Sequence, residues 1–247
     1  MLRSLLLTAG LLLSIPSTPL LAAPLTEQFP VSYSVSRNGF PVGVAERRLT
    51  RHGDRLVFNS TAYPTGLVSL FVSDRIVESS IMLLQGDGLV RPEQYNYQRS
   101  GGRHDNKFQL TFDWQRKEVT SSYDQRVLPL QPDTQDLLSF QLAMMLDLQQ
   151  GKRSFSFPIV DKKELHIYDF KTIGTETLDT ALGRVRVVKL LHEPREDEGR
   201  FVFWCAQEWG FLPARIEHKD DDGTVVLMEI RSRHDQTGGS PSSKVTD

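Results

Sequence analysis

Phe108-Gln109-Leu110-Thr111-Phe112-Asp113-Trp114 alternates apolar and polar side chains at every step. Successive side chains of a strand point to opposite faces, so this stretch reads as a strand with one face in a core and the other in water. Lys117 to Tyr123 answers it across a short turn near Gln115-Arg116. The same pattern runs back toward the N-terminus. Val31, Tyr33 and Val35 alternate with Ser32, Ser34 and Ser36, and Asn38-Gly39 then supplies a turn whose residues tolerate positive φ. Val42 to Thr50, Leu56 to Ala62, Asp74 to Leu84 and Leu89 to Gln98 continue a meander through turns at His52-Gly53-Asp54, Gln85-Gly86-Asp87-Gly88 and Ser100-Gly101-Gly102. Pro92 marks its strand as an edge or a bulge, because proline has no N–H for the ladder.

One segment breaks this rhythm with helical spacing. Leu137, Phe140, Gln141, Met144 and Leu148 fall on one face, widened by Leu138, Leu142 and Met145. Asp133 or Thr134 serves as the expected cap after Pro132, and Gly151 as the expected terminator. Strands resume at Phe155–Val160, Leu165–Ile173, Val185–Leu191, Arg200–Gln207, Pro213–His218 and Thr224–Arg231, with turns at Gly174, Gly183, Gly199, Gly210 and Asp220 to Gly223. The expected fold is mainly β: a long curved antiparallel sheet or partly open barrel, with one main α-helix at about residues 133–150 packed in or against it.

The first 23 residues read as a secretory signal peptide. Arg3 carries the positive charge, Leu5 to Ile15 the apolar run, and Leu21-Ala22-Ala23 the small residues of a cleavage site. The run is too short for a bilayer of ~30 Å, and no cysteine near the site offers a lipid attachment point. The expected organisation is a leader over 1–23, a single mainly-β domain over 24–233 and a disordered tail over 234–247, rich in Gly, Ser, Thr and Pro. The expected location is the periplasm.

Without Arg3 the chain holds 28 Lys and Arg against 31 Asp and Glu, with both signs interspersed. That argues against a nucleic-acid binder, which needs a basic face. A single cysteine, Cys205, rules out an intrachain disulfide, and the alternation around it reads as a strand buried on both faces. The six histidines show no metal-ligand spacing; His192-Glu193 lacks the second histidine of a zinc-protease helix. No Gly-x-Ser-x-Gly elbow occurs, and Asp220-Asp221-Asp222-Gly223 lacks the spacing of a calcium loop. No catalytic residue, cofactor or metal ligand is expected.

The aromatics suggest binding rather than reaction. In a half-closed sheet holding a helix, Trp114, Phe140, Met144 and Trp204 are candidates to line an apolar cleft. Leu67, Leu70 and Phe71, beside Gly66, are candidates for its lid.

The order of motifs resembles a known family. Tyr33 leads to Asn38-Gly39 and Gly43, and Tyr63-Pro64-Thr65-Gly66-Leu67 precedes Arg75 and Ser79-Ser80. Leu89-Val90-Arg91-Pro92-Glu93-Gln94-Tyr95 precedes Asp113-Trp114, and Asp136-Leu137-Leu138-Ser139-Phe140-Gln141-Leu142 opens the helix. Gly174-Thr175-Glu176-Thr177-Leu178, Gly183, Trp204, Leu212-Pro213-Ala214-Arg215-Ile216 and Asp222-Gly223 follow. This resembles the exported bacterial family catalogued as domain of unknown function three-one-zero-eight, from about Phe29 to Ser232. The resemblance implies a periplasmic protein and carries over no catalytic residue. At the level of fold the chain also looks like the periplasmic lipoprotein carriers, which hold acyl chains between an unclosed barrel and its helices. The expected function is a periplasmic binding or carrier module with an apolar, acyl-chain-like ligand between sheet and helix, not membrane-spanning. The alternatives are a protein-interaction module of envelope assembly and, third, a hydrolase.

Overall fold

Hydrogen bonding gathers the alternating segments into one antiparallel sheet of fourteen strands. The structure is a computed structural model that describes residues 29–233 apart from 87, 103–104 and 193–198. The expected leader, the expected tail and the turn before Gly199 lie outside the described residues.

Eight strands form a first arm: β1 (Phe29–Arg37), β2 (Phe40–His52), β3 (Arg55–Pro64), β4 (Arg75–Leu84), β5 (Val90–Ser100), β6 (Asn106–Asp113), β7 (Glu118–Ser121) and β8 (Val127–Pro129). Helix α1 (Ser139–Gln149) follows. The second arm holds β9 (Ser154–Asp161), β10 (Glu164–Thr180), β11 (Gly183–His192), β12 (Arg200–Ala206), β13 (Leu212–Lys219) and β14 (Val225–Arg233). Each arm is a meander of chain neighbours, and β1 pairs with β14 to weld them. The end strands β8 and β9 do not pair with each other, so the sheet stays open. Part of the gap is covered by the segment before α1: Gln135 N–H donates to the Pro158 carbonyl at 2.8 Å, and Val160 N–H to the Gln135 carbonyl at 2.9 Å.

The helix starts later than its periodicity suggests. Gln135 is committed to the bridge with β9, and Asp133 sits at φ 59°, so neither residue can be helical. Asp136 does the capping instead. Its Oδ1 accepts the N–H groups of Leu138 and Ser139, both at 2.8 Å, while Ser139 Oγ accepts the Asp136 N–H at 2.8 Å. This reciprocal pair satisfies donors that a helix start leaves open. At the other end Gly151, at φ 79°, closes a Schellman turn: Gly151 N–H reaches the Leu148 carbonyl and Lys152 N–H the Asp147 carbonyl, both at 3.0 Å.

Nine of the eleven residues of α1 are buried, because the helix lies inside the curl of the sheet. Leu138, Leu142 and Met145 join the larger core, which Tyr33, Leu49, Phe58, Met82, Tyr95 and Leu110 of the first arm share with Val160, Val187, Leu191 and Val202 of the second. Phe140, Ala143, Met144 and Leu148 join a second cluster with Phe157, Ile159, Phe170, Leu190, Phe203 and Cys205 of the second arm. The broad apolar stripe thus feeds two clusters, one shared by both arms and one built on the second arm. At ~1.5–3 kcal/mol for each large side chain taken from water, this double burial holds the arms around the helix.

One local reading changes, one is decided, and one strand is added. Gly174 is not a turn; β10 runs on to Thr180 and absorbs it as a bulge between Thr172 and Gly174. Pro92 sits in an inner strand, and of the two expected settings it takes the bulge, opposite the register shift between Ile81 and Met82. Strand β8, three residues long, has too little sequence to alternate.

Candidate functional site

The structure divides the seven residues expected around a cleft into four places. Phe140 and Met144 are buried in the second cluster. The Phe140 ring lies 6.0 Å from both Phe170 and Phe203 and 6.4 Å from Tyr168, so the space between helix and second arm is occupied by side chains. Trp204 points to the other side of its strand from Phe203. Lys189 Nζ and the Arg215 guanidinium lie 4.7 and 5.5 Å from its ring centre, and its indole N–H donates to Glu176 at 2.5 Å. Trp114 stands just beyond β6, half-buried, its N–H on the Pro92 carbonyl at 2.8 Å and Arg91 over its ring.

Leu67, Leu70 and Phe71 lie elsewhere, in a turn of 3₁₀ helix over Gly66–Leu70 and the residue after it. They are 80%, 73% and 87% exposed. At its start Thr65 N–H donates to the Val42 carbonyl, and just beyond its end Ser73 Oγ donates to the Gly101 carbonyl. Phe40, two residues before Val42, is 73% exposed as well.

Beneath this turn is an apolar cleft of about 400 Å³. Val35, Val44, Ala62, Ile76 and Val226 line it from the strands, and Val68 and Val72 from the turn. Its floor is continuous with the protein interior, since Val35 and Ala62 pack against the larger core. Arg37, Tyr63 and Asp74 stand among its lining residues, and Arg75 lies 5.7 Å from the centre of the Tyr63 ring. Gly43 is required here: a Cβ would run into the Tyr63 carbonyl, so only glycine lets β2 and β3 approach at this end. Alternation could not reveal the cleft. Small apolar residues at the ends of five strands look like ordinary core; the only sequence signal was the run of non-alternating apolar residues after Gly66.

A string of polar groups crosses the interior at the start of α1. Arg47 Nη1 donates to Gln141 Oε1 at 2.6 Å and its guanidinium lies 5.4 Å from the Tyr33 ring centre. Tyr95 donates to Glu78 at 2.6 Å, and Ser80 to Asp136 Oδ2 at 2.6 Å. Asp136 is fully buried, and that burial pushes its carboxyl up to about 6, against the downward pull of hydrogen bonds from Ser80, Ser139 and Leu138. Its carboxylate accepts three hydrogen bonds, two from the cap and one from Ser80, so the group reads as architecture. Burial likewise pushes the Cys205 thiol up and the Tyr33 hydroxyl up to about 12. Among the described residues no three His, Cys, Asp or Glu side chains gather as a metal site, and no helix is long and apolar enough to cross a membrane.

Residues 31–230 match the family described as Protein of unknown function (DUF3108). The chain belongs to this family. No curated protein matches this DUF3108 chain in sequence. Among solved structures it is similar to a β-barrel-like protein of the DUF1849 domain family from Brucella abortus, with a TM-score of 0.58 and 7% identity over 86% of this chain and 99% of that one. At that identity the likeness concerns the fold alone. A "putative lipoprotein" from Parabacteroides distasonis aligns over 85% of this chain and 97% of its own, at 13% identity and a TM-score of 0.35.

Proposed function

We propose that this DUF3108 chain is a binding module of the bacterial cell envelope that works in the periplasm and holds an apolar, acyl-chain-like segment. The reading assigns no reaction. The observation that carries it is the cleft of about 400 Å³ lined by valine, alanine and isoleucine beneath the Gly66–Leu70 turn. Its volume falls in the ~300–1,000 Å³ span of small-ligand sites, and barrel mouths are a common place for them. The ligand is assigned to this mouth rather than to the space beside α1, which side chains occupy.

Protein purified from the periplasm and studied by native mass spectrometry should carry lipid or fatty acid. The fluorescent probe N-phenyl-1-naphthylamine should bind it, and Ala62→Phe, which fills the cleft, should abolish that binding while the fold persists. A chain that carries no lipid and binds no probe would overturn the reading. The filled interior favours a second reading, a partner-binding protein with no small ligand; one stoichiometric partner recovered from envelope extracts, with no probe binding, would establish it.

A further inference from the structure

We propose that the Gly66–Val72 turn is a membrane-docking finger that seats the mouth of the cleft on an anionic phospholipid surface. The proposal rests on the cleft reading for its purpose, because a bilayer is the source of acyl chains, but its own support is independent. None of the residues of the turn is buried. Leu67, Leu70 and Phe71 nevertheless present large apolar side chains to solvent, joined by Val72 at 42% exposure and by Phe40. Contiguous apolar exposure of this kind marks an interaction site.

The backbone of the turn suits an apolar phase. Phe71 N–H donates to the Val68 carbonyl at 3.0 Å, Val72 N–H to the same carbonyl at 2.9 Å, and Ser69 Oγ to the Gly66 carbonyl at 2.7 Å. These bonds turn part of the segment's polar backbone inward, which lowers the desolvation cost of entering the headgroup–acyl boundary. The charges around it fit the same surface. Of the nearby acids, Asp74 is ion-paired with Arg99, Glu46 accepts from the Tyr63 hydroxyl, and Asp222 accepts from the Thr224 N–H and lies in the field of Arg37. Arg37 and Arg75 are exposed and form no close ion pair among the described residues, Arg75 lying over the Tyr63 ring and Arg37 in the field of Asp222, so both can turn to phosphates, as basic residues beside interfacial anchors do. A short finger over seven positions suits shallow insertion of ~5–10 Å better than the ~800 Å² per partner of a stable protein interface.

The test is co-sedimentation of the exported chain with vesicles of phosphatidylcholine plus phosphatidylglycerol, and of phosphatidylcholine alone. The chain should bind the mixed vesicles more tightly. Phe71→Asp and Leu70→Asp should each weaken binding about tenfold or more. Arg37→Gln and Arg75→Gln should each weaken it roughly fivefold, and only on the anionic vesicles. All four side chains are exposed, so circular dichroism should report unchanged melting. N-phenyl-1-naphthylamine binding is measured in the same variants: if the probe binds and the vesicles do not, the docking proposal falls and the cleft reading stands. Vesicle binding that survives Phe71→Asp and Leu70→Asp overturns it. So does self-association of the wild-type chain that Phe71→Asp abolishes without any vesicle binding, since the finger would then be an interface between copies.

Discussion

Ser80 and Asp136 meet at 2.6 Å across 56 residues of sequence, a hydroxyl of β4 donating to the carboxylate that caps α1. The helix is thereby attached to the first arm by the same residue that starts it.

This places a titration in the folding equilibrium. The Asp136 carboxyl is raised from 3.8 to about 6, so between those values the folded chain binds more protons than the unfolded one. Stability contributed by this group is present below pH 3.8 and is lost as pH rises toward 6, by about 3 kcal/mol in all. Asp136→Asn keeps a carbonyl for the Leu138 and Ser139 N–H groups and offers Ser80 an amide. Urea titrations from pH 4 to 7 should show that this variant loses the slope. Asp136→Ala should cost about 2 kcal/mol or more across the range, since it strands buried donors. An unchanged slope in Asp136→Asn would reject the assignment.

Gly43→Ala should destabilise the chain by about 1–3 kcal/mol, because the new Cβ meets backbone that cannot step aside. Separating β2 from β3 at this point also distorts the cleft, so probe binding should fall with it. Thermal melts and a probe titration on one preparation read both effects.

Leu142→Ala, at a helix position with no exposure, should cost about 2–5 kcal/mol. Leu67→Ala and Phe71→Ala should stay within about 0.5 kcal/mol of the parent, although they remove comparable apolar groups. Chemical denaturation of the three variants tests the contrast; a large loss at Phe71 would mean that the turn folds back onto the protein.

Cys205 is fully buried and its thiol is raised by that burial. Ellman's reagent should label native protein orders of magnitude more slowly than protein in guanidinium. Fast labelling at neutral pH would contradict the position of Cys205 between Val188 and Pro213 on the neighbouring strands.

The arms of the sheet were readable because one wall of each strand faces a core, which writes period two into Phe108–Trp114 and Val31–Ser36. The order of those strands followed from the short turns between them. Residues 133–138 were misread as helix because Leu137 and Leu138 continue the helical spacing, while the bridge from Gln135 to Ile159 depends on a strand 24 residues away. The finger was ambiguous for a different reason. Leu67, Leu70 and Phe71 are the side chains of a buried helix as much as of an exposed turn, and only the position of the neighbouring strands decides between them. Trp204 shows the same limit: alternation set it opposite Phe203, but what covers it is the larger core together with Lys189 and Arg215 from flanking strands.

Every strand pairing except one joins neighbours along the chain, and the exception sets Val31 opposite Arg233. Both ends of the described chain therefore emerge side by side at the middle of the sheet. A circular permutant follows: link the ends there with a short loop and open the chain between Lys152 and Arg153, after α1 and before β9, whose strand ends the sheet and does not pair with β8. All pairings survive, yet β1 and β14 become close in sequence, which removes the one long loop closure in the sheet. If that closure limits folding, the rearranged chain should fold faster than the original.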